Sequence, residues 1–370
     1  MKMKKLAVVL LTVAMSLTAV SCGDEKESSL SDSQSESSVA ETTEAETTTE
    51  AEETTAENTE ATTTESENQD EENPLGKTAD INDYIKTTSV NPPLWKVTDP
   101  ETSNSIYLLG TIHMLPESVS EYPDTLMEIY SNCDSIAVEY DVTALTEDAS
   151  AQMEYLQGMI YSDSTTIKDH ISEETYNKAK GYFESLGAYS EMLDQYTAGY
   201  WINQLSSVMY LRLENMNFEG TDTYFINKAK EDGKDVISIE ELSVQTNALN
   251  AFTDDYADYN ISEMVDSMNE IEDFAQTYSE MYDLWASGDG EISVDMDTDI
   301  DEIPDDLMDD HAEYVQVVIT DRNKNMAEKA SEIIKESKNC LFMVGSAHYS
   351  GENGVDNLLE EMGYTVEKIA

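Results

Sequence analysis

From Leu94 onward, short runs of apolar and β-branched residues bounded by turn formers alternate with stretches whose apolar residues recur every three or four positions. The first pattern predicts strands and the second helices. Leu94-Trp95-Lys96-Val97-Thr98 and Ser105-Ile106-Tyr107-Leu108-Leu109 flank the turn-rich residues 99–104 and predict a hairpin with a long loop. A helix predicted over 123–131 leads to a strand at Ser135-Ile136-Ala137-Val138-Glu139. Strand, helix, strand at this spacing predicts a crossover unit that makes its two strands parallel neighbours.

Residues 144–338 read as mostly helical. Ser172-Glu173-Glu174 caps one helix start and Gly187 ends that helix. A long amphipathic helix is expected over 190–215 and a last one over 304–338, with one strand at 235–240 between them. The many Tyr and Met residues here read as packing residues. The β pattern returns at Cys340-Leu341-Phe342-Met343-Val344 and at 364–369. The expected fold is therefore α/β: one domain over 77–370, with a central mixed sheet of five or six strands drawn from both ends, flanked by helices and carrying a large helical insertion.

Upstream of the domain the pattern is different. Met-Lys-Met-Lys-Lys precedes an apolar run from Leu6 to Val20 and then Ser21-Cys22-Gly23. That run is shorter than the roughly 20 residues a spanning helix needs and fits an export signal. Ala19-Val20-Ser21-Cys22 resembles the lipobox of bacterial lipoproteins, which makes Cys22 the expected lipidation site and the cell membrane's extracellular face the expected location. Residues 23–76 hold 18 acidic residues against one lysine and almost nothing apolar. Such a segment cannot bury enough surface to offset its ordering entropy, so an extended, disordered stalk is expected. The net charge of −58 excludes a nucleic-acid role and leaves the lipid as the expected membrane contact.

With Cys22 assigned, Cys133 and Cys340 remain. Each stands at an apolar strand-like run, so they could form a disulfide at one sheet edge or stay as two buried thiols. No Cys-x-x-Cys spacing marks them as metal ligands.

Two of the four histidines sit in matching contexts: Leu108-Leu109-Gly110-Thr111-Ile112-His113 and Met343-Val344-Gly345-Ser346-Ala347-His348. An apolar run ending in Gly and followed by His places each imidazole at a strand's C-terminal end, the edge where open α/β sheets bind ligands. Neutral imidazole suits zinc, iron, manganese or cobalt, and two alone are too few for a closed structural site. Glu139 is the first candidate for a carboxylate partner, with Asp141 second and Glu240 third; the alternative is a strand-end carboxylate satisfied by neighbouring backbone. His170 and His311 read as surface residues. Arg322, one of two arginines with Arg212, suits an oxyanion or substrate carboxylate, or pairs with a nearby acid.

Together with Ala137-Val138-Glu139-Tyr140-Asp141, Gly220-Thr221-Asp222, Asp321-Arg322-Asn323 and Gly351-Glu352-Asn353-Gly354-Val355, these motifs resemble the TraB/GumN/PrgY family, related to the Tiki proteins, over about 94–370. The resemblance implies a metal-dependent peptidase domain, with manganese, cobalt or zinc at His113 and His348. It makes Glu139 a metal ligand or general base and Arg322 a stabiliser of transition-state charge. Tiki proteins are membrane-tethered proteases that clip a signalling ligand, and bacterial relatives are associated with inactivating peptide pheromones, so an extracellular peptide or protein is the implied substrate. A lipid in place of a membrane helix departs from that pattern and leaves the substrate open. The rival expectation is a module that sequesters a peptide without cleaving it, favoured by the lack of a His-Glu-x-x-His helix.

Overall fold

A run of apolar residues with no polar alternation must be covered on both faces, and this rule separates the central strands from the edge strands. The computed structural model describes residues 75–119, 121–288, 303–337 and 339–369. Its strands are β1 (Ala79–Asp80), β2 (Leu94–Thr98), β3 (Ser105–Thr111), β4 (Leu115–Pro116), β5 (Ser135–Val138), β6 (Leu213–Glu214), β7 (Met216–Asn217), β8 (Asp235–Ser238), β9 (Cys340–Gly345) and β10 (Thr365–Lys368). Six of them form the central sheet in the order β10-β2-β3-β9-β5-β8. β3, β9, β5 and β8 run parallel, while β2 and β10 are antiparallel to their neighbours, so the sheet is mixed and drawn from both ends of the domain as expected.

β3 and β5 are parallel but not adjacent, because β9 lies between them. Cys340 through Val344 are all fully buried, and only a central position covers such a run on both sides. β10 and β8, whose residues are mostly exposed or half-buried, take the edges. Side chains alternate across β9. Phe342 and Val344 pack with Met326, Ala330 and Ile334 of the helix Asp321–Lys335. Leu341 and Met343 pack on the other side with Leu126 and Tyr130 of Asp124–Asn132 and with Phe225 and Ala229 of Gly220–Asp232.

In the insertion, Ser172 caps the helix Glu173–Ser185 by accepting from the Thr175 amide, and Gly187 follows it at φ +67°. The single amphipathic helix expected over 190–215 is instead a short 3-10 turn, Glu191–Gln195, followed by Ala198–Leu211, which is buried on nearly every side. Its polar residues suggested an outer face, but Ser206 and Ser207 donate to the Ile202 and Asn203 carbonyls at 3.0 and 2.8 Å and so are buried at little cost. The helix expected over 304–338 is also divided. Met308–Val315 passes through a π turn, Gln316–Thr320, into Asp321–Lys335. Such a turn inserts a residue into the helical repeat and re-aims the side chains of the next helical turn, where Arg322 stands.

Cys133 and Cys340 are buried thiols, not joined in a disulfide. Cys340 is in register with Ser135, two residues beyond Cys133, and burial pushes the Cys133 thiol up to about 12. Among the described residues no helix is long and apolar enough to cross a membrane. The expected signal segment, Cys22 and the acidic stalk up to residue 74 lie outside the described residues.

Candidate functional site

The two Gly-x-x-His segments leave the sheet side by side. β3 and β9 are parallel neighbours with Gly110 opposite Val344 and Thr111 opposite Gly345, so His113 and His348 emerge from adjacent strands at the C-terminal edge. β5 flanks β9 on its other side and delivers Glu139, and β8 beyond it delivers Glu240, whose amide donates to the Glu139 carbonyl at 2.9 Å. Four strand ends thus supply two imidazoles and two carboxylates.

Each ring is held by a second residue that fixes its proton. The Asn323 amide nitrogen donates to the Asn353 carbonyl at 2.8 Å, which leaves its Oδ1 to accept from Nδ1 of fully buried His348 at 2.5 Å. Nε2 of His348 then carries a lone pair. Among the described residues that atom is buried with no hydrogen-bond partner, and it lies 3.7 Å from Oε1 of Glu139. Nδ1 of His113 donates to Oδ2 of Asp222 at 2.9 Å, and Oδ1 of Asp222 accepts from the Thr111 hydroxyl at 2.7 Å. A carboxylate or amide behind an imidazole is the arrangement that orients metal-binding histidines.

The acids are bound from behind. Arg322, 2% exposed, meets Glu240 with Nε and Nη2 at 2.9 and 2.7 Å and Glu139 with Nη2 at 2.5 Å, and Nη1 donates to the Val318 carbonyl at 3.3 Å. Of the two expectations for Arg322, an oxyanion partner or pairing with an acid, the structure shows the second: the guanidinium meets two carboxylates from the ends of neighbouring strands. Gln245 donates to both acids. The Gly345 amide donates to Oε1 of Glu139 at 2.8 Å, and a Cβ on Gly345 would stand 3.3 Å from that oxygen, so the second motif glycine permits the close approach.

The charge state of each group depends on this geometry. Burial lowers the His348 imidazole and Arg322 lowers it further, to about 3, so the ring is neutral. Burial would also lower His113, but Asp222 beside it, aided by Glu139, raises it above its ordinary value. Burial would raise Glu139, but Arg322 and the two histidines hold its carboxyl well below the usual range. Burial wins at Glu240, which is raised despite Arg322.

The depressed His348 value makes stability depend on pH. The unfolded chain takes up this proton near the ordinary 6.5 and the folded chain only near 3. The contribution is whole above pH 6.5 and is lost as pH falls toward 3, at up to about 1.4 kcal/mol per pH unit. His113, being raised, contributes below pH 6.5 and loses that contribution as pH rises through its folded value. Urea midpoints of chelator-treated protein should therefore fall from pH 6.5 to 5, and the fall should flatten in His348→Gln. Equal slopes in the two proteins would contradict the assignment.

Other expected residues lie elsewhere. Asp141 pairs with Lys230 at 3.0 Å and accepts from the Thr143 hydroxyl at 2.6 Å. Neither remaining histidine is a loose surface residue. His311 is buried and bonded to the Tyr256 hydroxyl at 2.9 Å, while His170 stacks on Tyr161 at 4.0 Å and bonds Asp254 at 2.8 Å. Local pattern assigns no role to Asp222, Asn323 or Gln245. The first two stand inside the family-like motifs Gly220-Thr221-Asp222 and Asp321-Arg322-Asn323, whereas nothing near Gln245 marks it.

The donor atoms suit a divalent ion: an orphaned imidazole nitrogen, a second imidazole turned by a carboxylate, and an ionised Glu139 beside the first. Among the described residues no group of three or more His, Cys, Asp or Glu side chains is placed to hold a metal. Both oxygens of Glu139 already accept protein hydrogen bonds.

Residues 93–368 match the family described as TraB/PrgY/gumN. Metalloprotease TIKI2 of Danio rerio is 23% identical over 338 residues, covering 78% of this chain and 63% of that protein. Metalloprotease TIKI2 of Xenopus tropicalis is 21% identical over 338 residues, covering 78% and 60%. The chain thus spans about three fifths of the length of these relatives. No solved structure gives a significant match. With the family match running from the hairpin to β10 and taking in both Gly-x-x-His strands, the chain belongs to the TraB/PrgY/gumN family.

Proposed function

We propose that this chain is a divalent-metal-dependent peptidase, tethered to the outer face of a cell membrane by a lipid on Cys22 and acting on extracellular peptides or proteins. One observation carries the reading: Nε2 of His348 is buried, neutral and, among the described residues, without a hydrogen-bond partner, 3.7 Å from an ionised carboxylate. A lone pair kept dry in this way is costly unless something binds it. The metalloprotease relatives point the same way for the chemistry, and the apolar leader ending in Ser21-Cys22 supports the tether.

His113 and His348 would hold the ion. When bound, it supplies Lewis acidity toward a peptide carbonyl and toward water. Asp222 and Asn323 keep both rings in the tautomer that presents Nε2. Because His113 is raised, ion and proton compete for it, and binding weakens as pH falls. Glu139 stays ionised through Arg322, so it is a weak proton acceptor and a better anionic ligand. Arg322 positions that carboxylate and does not itself reach substrate.

The absence of a three-group cluster among the described residues favours a second reading, in which the same edge sequesters a peptide intact. Mass spectrometry of a peptide mixture incubated with the full chain separates the two. Fragments that disappear with chelator and in His348→Ala are expected for the peptidase; retained, uncut peptide overturns it in favour of sequestration.

A further inference from the structure

Along the paired strands β4 and β7 lies an open recess of 580 Å³ lined by Glu117, Met216, Asn217, Phe218 and Glu219. Its volume falls within the roughly 300–1,000 Å³ of small-ligand clefts. The recess is joined to the candidate site through the backbone. On one wall Glu117 follows β4, four residues after His113. On the other, Met216 and Asn217 form β7, paired with β4, and Phe218-Glu219 lead into Gly220-Thr221-Asp222. Gly220 is so close to His113 that an added Cβ would lie 2.3 Å from its carbonyl carbon and oxygen, the Thr221 amide donates to the Ile112 carbonyl at 2.9 Å, and Asp222 holds the His113 ring. One short segment therefore walls the recess with its first residues and orients the imidazole with its last.

The lining combines two chemistries. Met216 is buried and Phe218 half-buried against the helical core, giving apolar contact, while Glu117 and Glu219 are exposed and meet no cation among the described residues. Asn217 accepts from the Glu219 amide at 2.9 Å and so sets the backbone of that rim. A side chain with a long apolar stem and a positive end satisfies both parts; an acidic one is repelled, and a purely apolar one leaves the carboxylates unused. We infer that this recess is a specificity subsite that receives a lysine or arginine side chain of a peptide bound at the His113/His348 edge. The inference rests on the peptidase reading for the identity of the ligand as a peptide.

The test is fluorescence anisotropy with the full chain and two short fluorescein-labelled peptides of Gly, Ala and Ser, one carrying a lysine and the other norleucine at the same position. The ionic strength is set at about 0.15 M, where a screening length of about 8 Å suppresses the general negative field. The lysine peptide should bind about tenfold more tightly, since its ammonium meets two carboxylates that norleucine leaves unused. The ratio should fall to near one in Glu117→Gln/Glu219→Gln. Equal binding of the two peptides by the parent chain, or a preference unchanged in the double variant, overturns the subsite. A preference that collapses in the variant while no peptide is ever cut upholds the subsite and counts against the peptidase reading alone.

Discussion

Arg322→Leu is expected to lower the free energy of unfolding by about 3–5 kcal/mol, the usual cost of removing one partner from a buried ion pair. Arg322 is the one cation in contact with Glu139 and Glu240 among the described residues, and all three side chains are buried. Without the guanidinium, two carboxylates would face each other in a dry environment with, among the described residues, only Gln245 and the Gly345 amide as donors. Arg322→Lys keeps the charge but cannot reproduce the two-point contact with Glu240, so it should fall between parent and leucine variant. Adding Glu240→Gln to Arg322→Leu should recover part of the loss, because one unpaired charge is then removed. Urea titration at pH 7 reads all three, and a loss under about 1 kcal/mol for Arg322→Leu would show that the acids are satisfied without it.

Gly220→Ala should cost about 2–5 kcal/mol and disturb His113 at the same time. Gly220 sits at φ +58°, where a side chain costs about 1–2 kcal/mol. A Cβ would also lie 2.3 Å from the His113 backbone, which must move, adding about 1–3 kcal/mol of overpacking. Because Asp222 is two residues on, the shift should loosen its bond to the ring, and the raised His113 pKa should drop toward its ordinary value when tracked by NMR titration. Gly181→Ala is the control. It is helical, with nothing within 4 Å of its added Cβ, and should leave both stability and the His113 titration nearly intact. A Gly220→Ala protein with parental stability and an unmoved His113 would contradict the close packing of the two segments.

The sheet was largely legible because its strands announce themselves: five apolar residues in Cys340–Val344 demand a central place, and the hairpin loop is marked by Asp99-Pro100. Strand neighbours were less so. The spacing of β3 and β5 says nothing of β9, which arrives about 200 residues later and separates them. The paired Gly-x-x-His motifs gave the histidines, since strand-end position is set by local pattern alone. The partners of Arg322 were not legible in this way: they stand 82 and 183 residues away, and only the folded chain shows which two acids meet the guanidinium. The same holds for Gln245, an ordinary amide on an ordinary helix until Glu139 and Glu240 are brought against it. His311 looked exposed because its neighbours Asp309, Asp310 and Glu313 are charged, yet it occupies the buried side of its helix.

Calorimetric titration of the full chain with manganese, cobalt and zinc, parent against His113→Ala/His348→Ala, tests the shared histidine site most directly. At least one ion should bind the parent near neutral pH, bind more weakly at pH 6, and show no heat of binding with the double variant. Equal binding by the two proteins, or no binding by the parent, would contradict a metal held by these imidazoles.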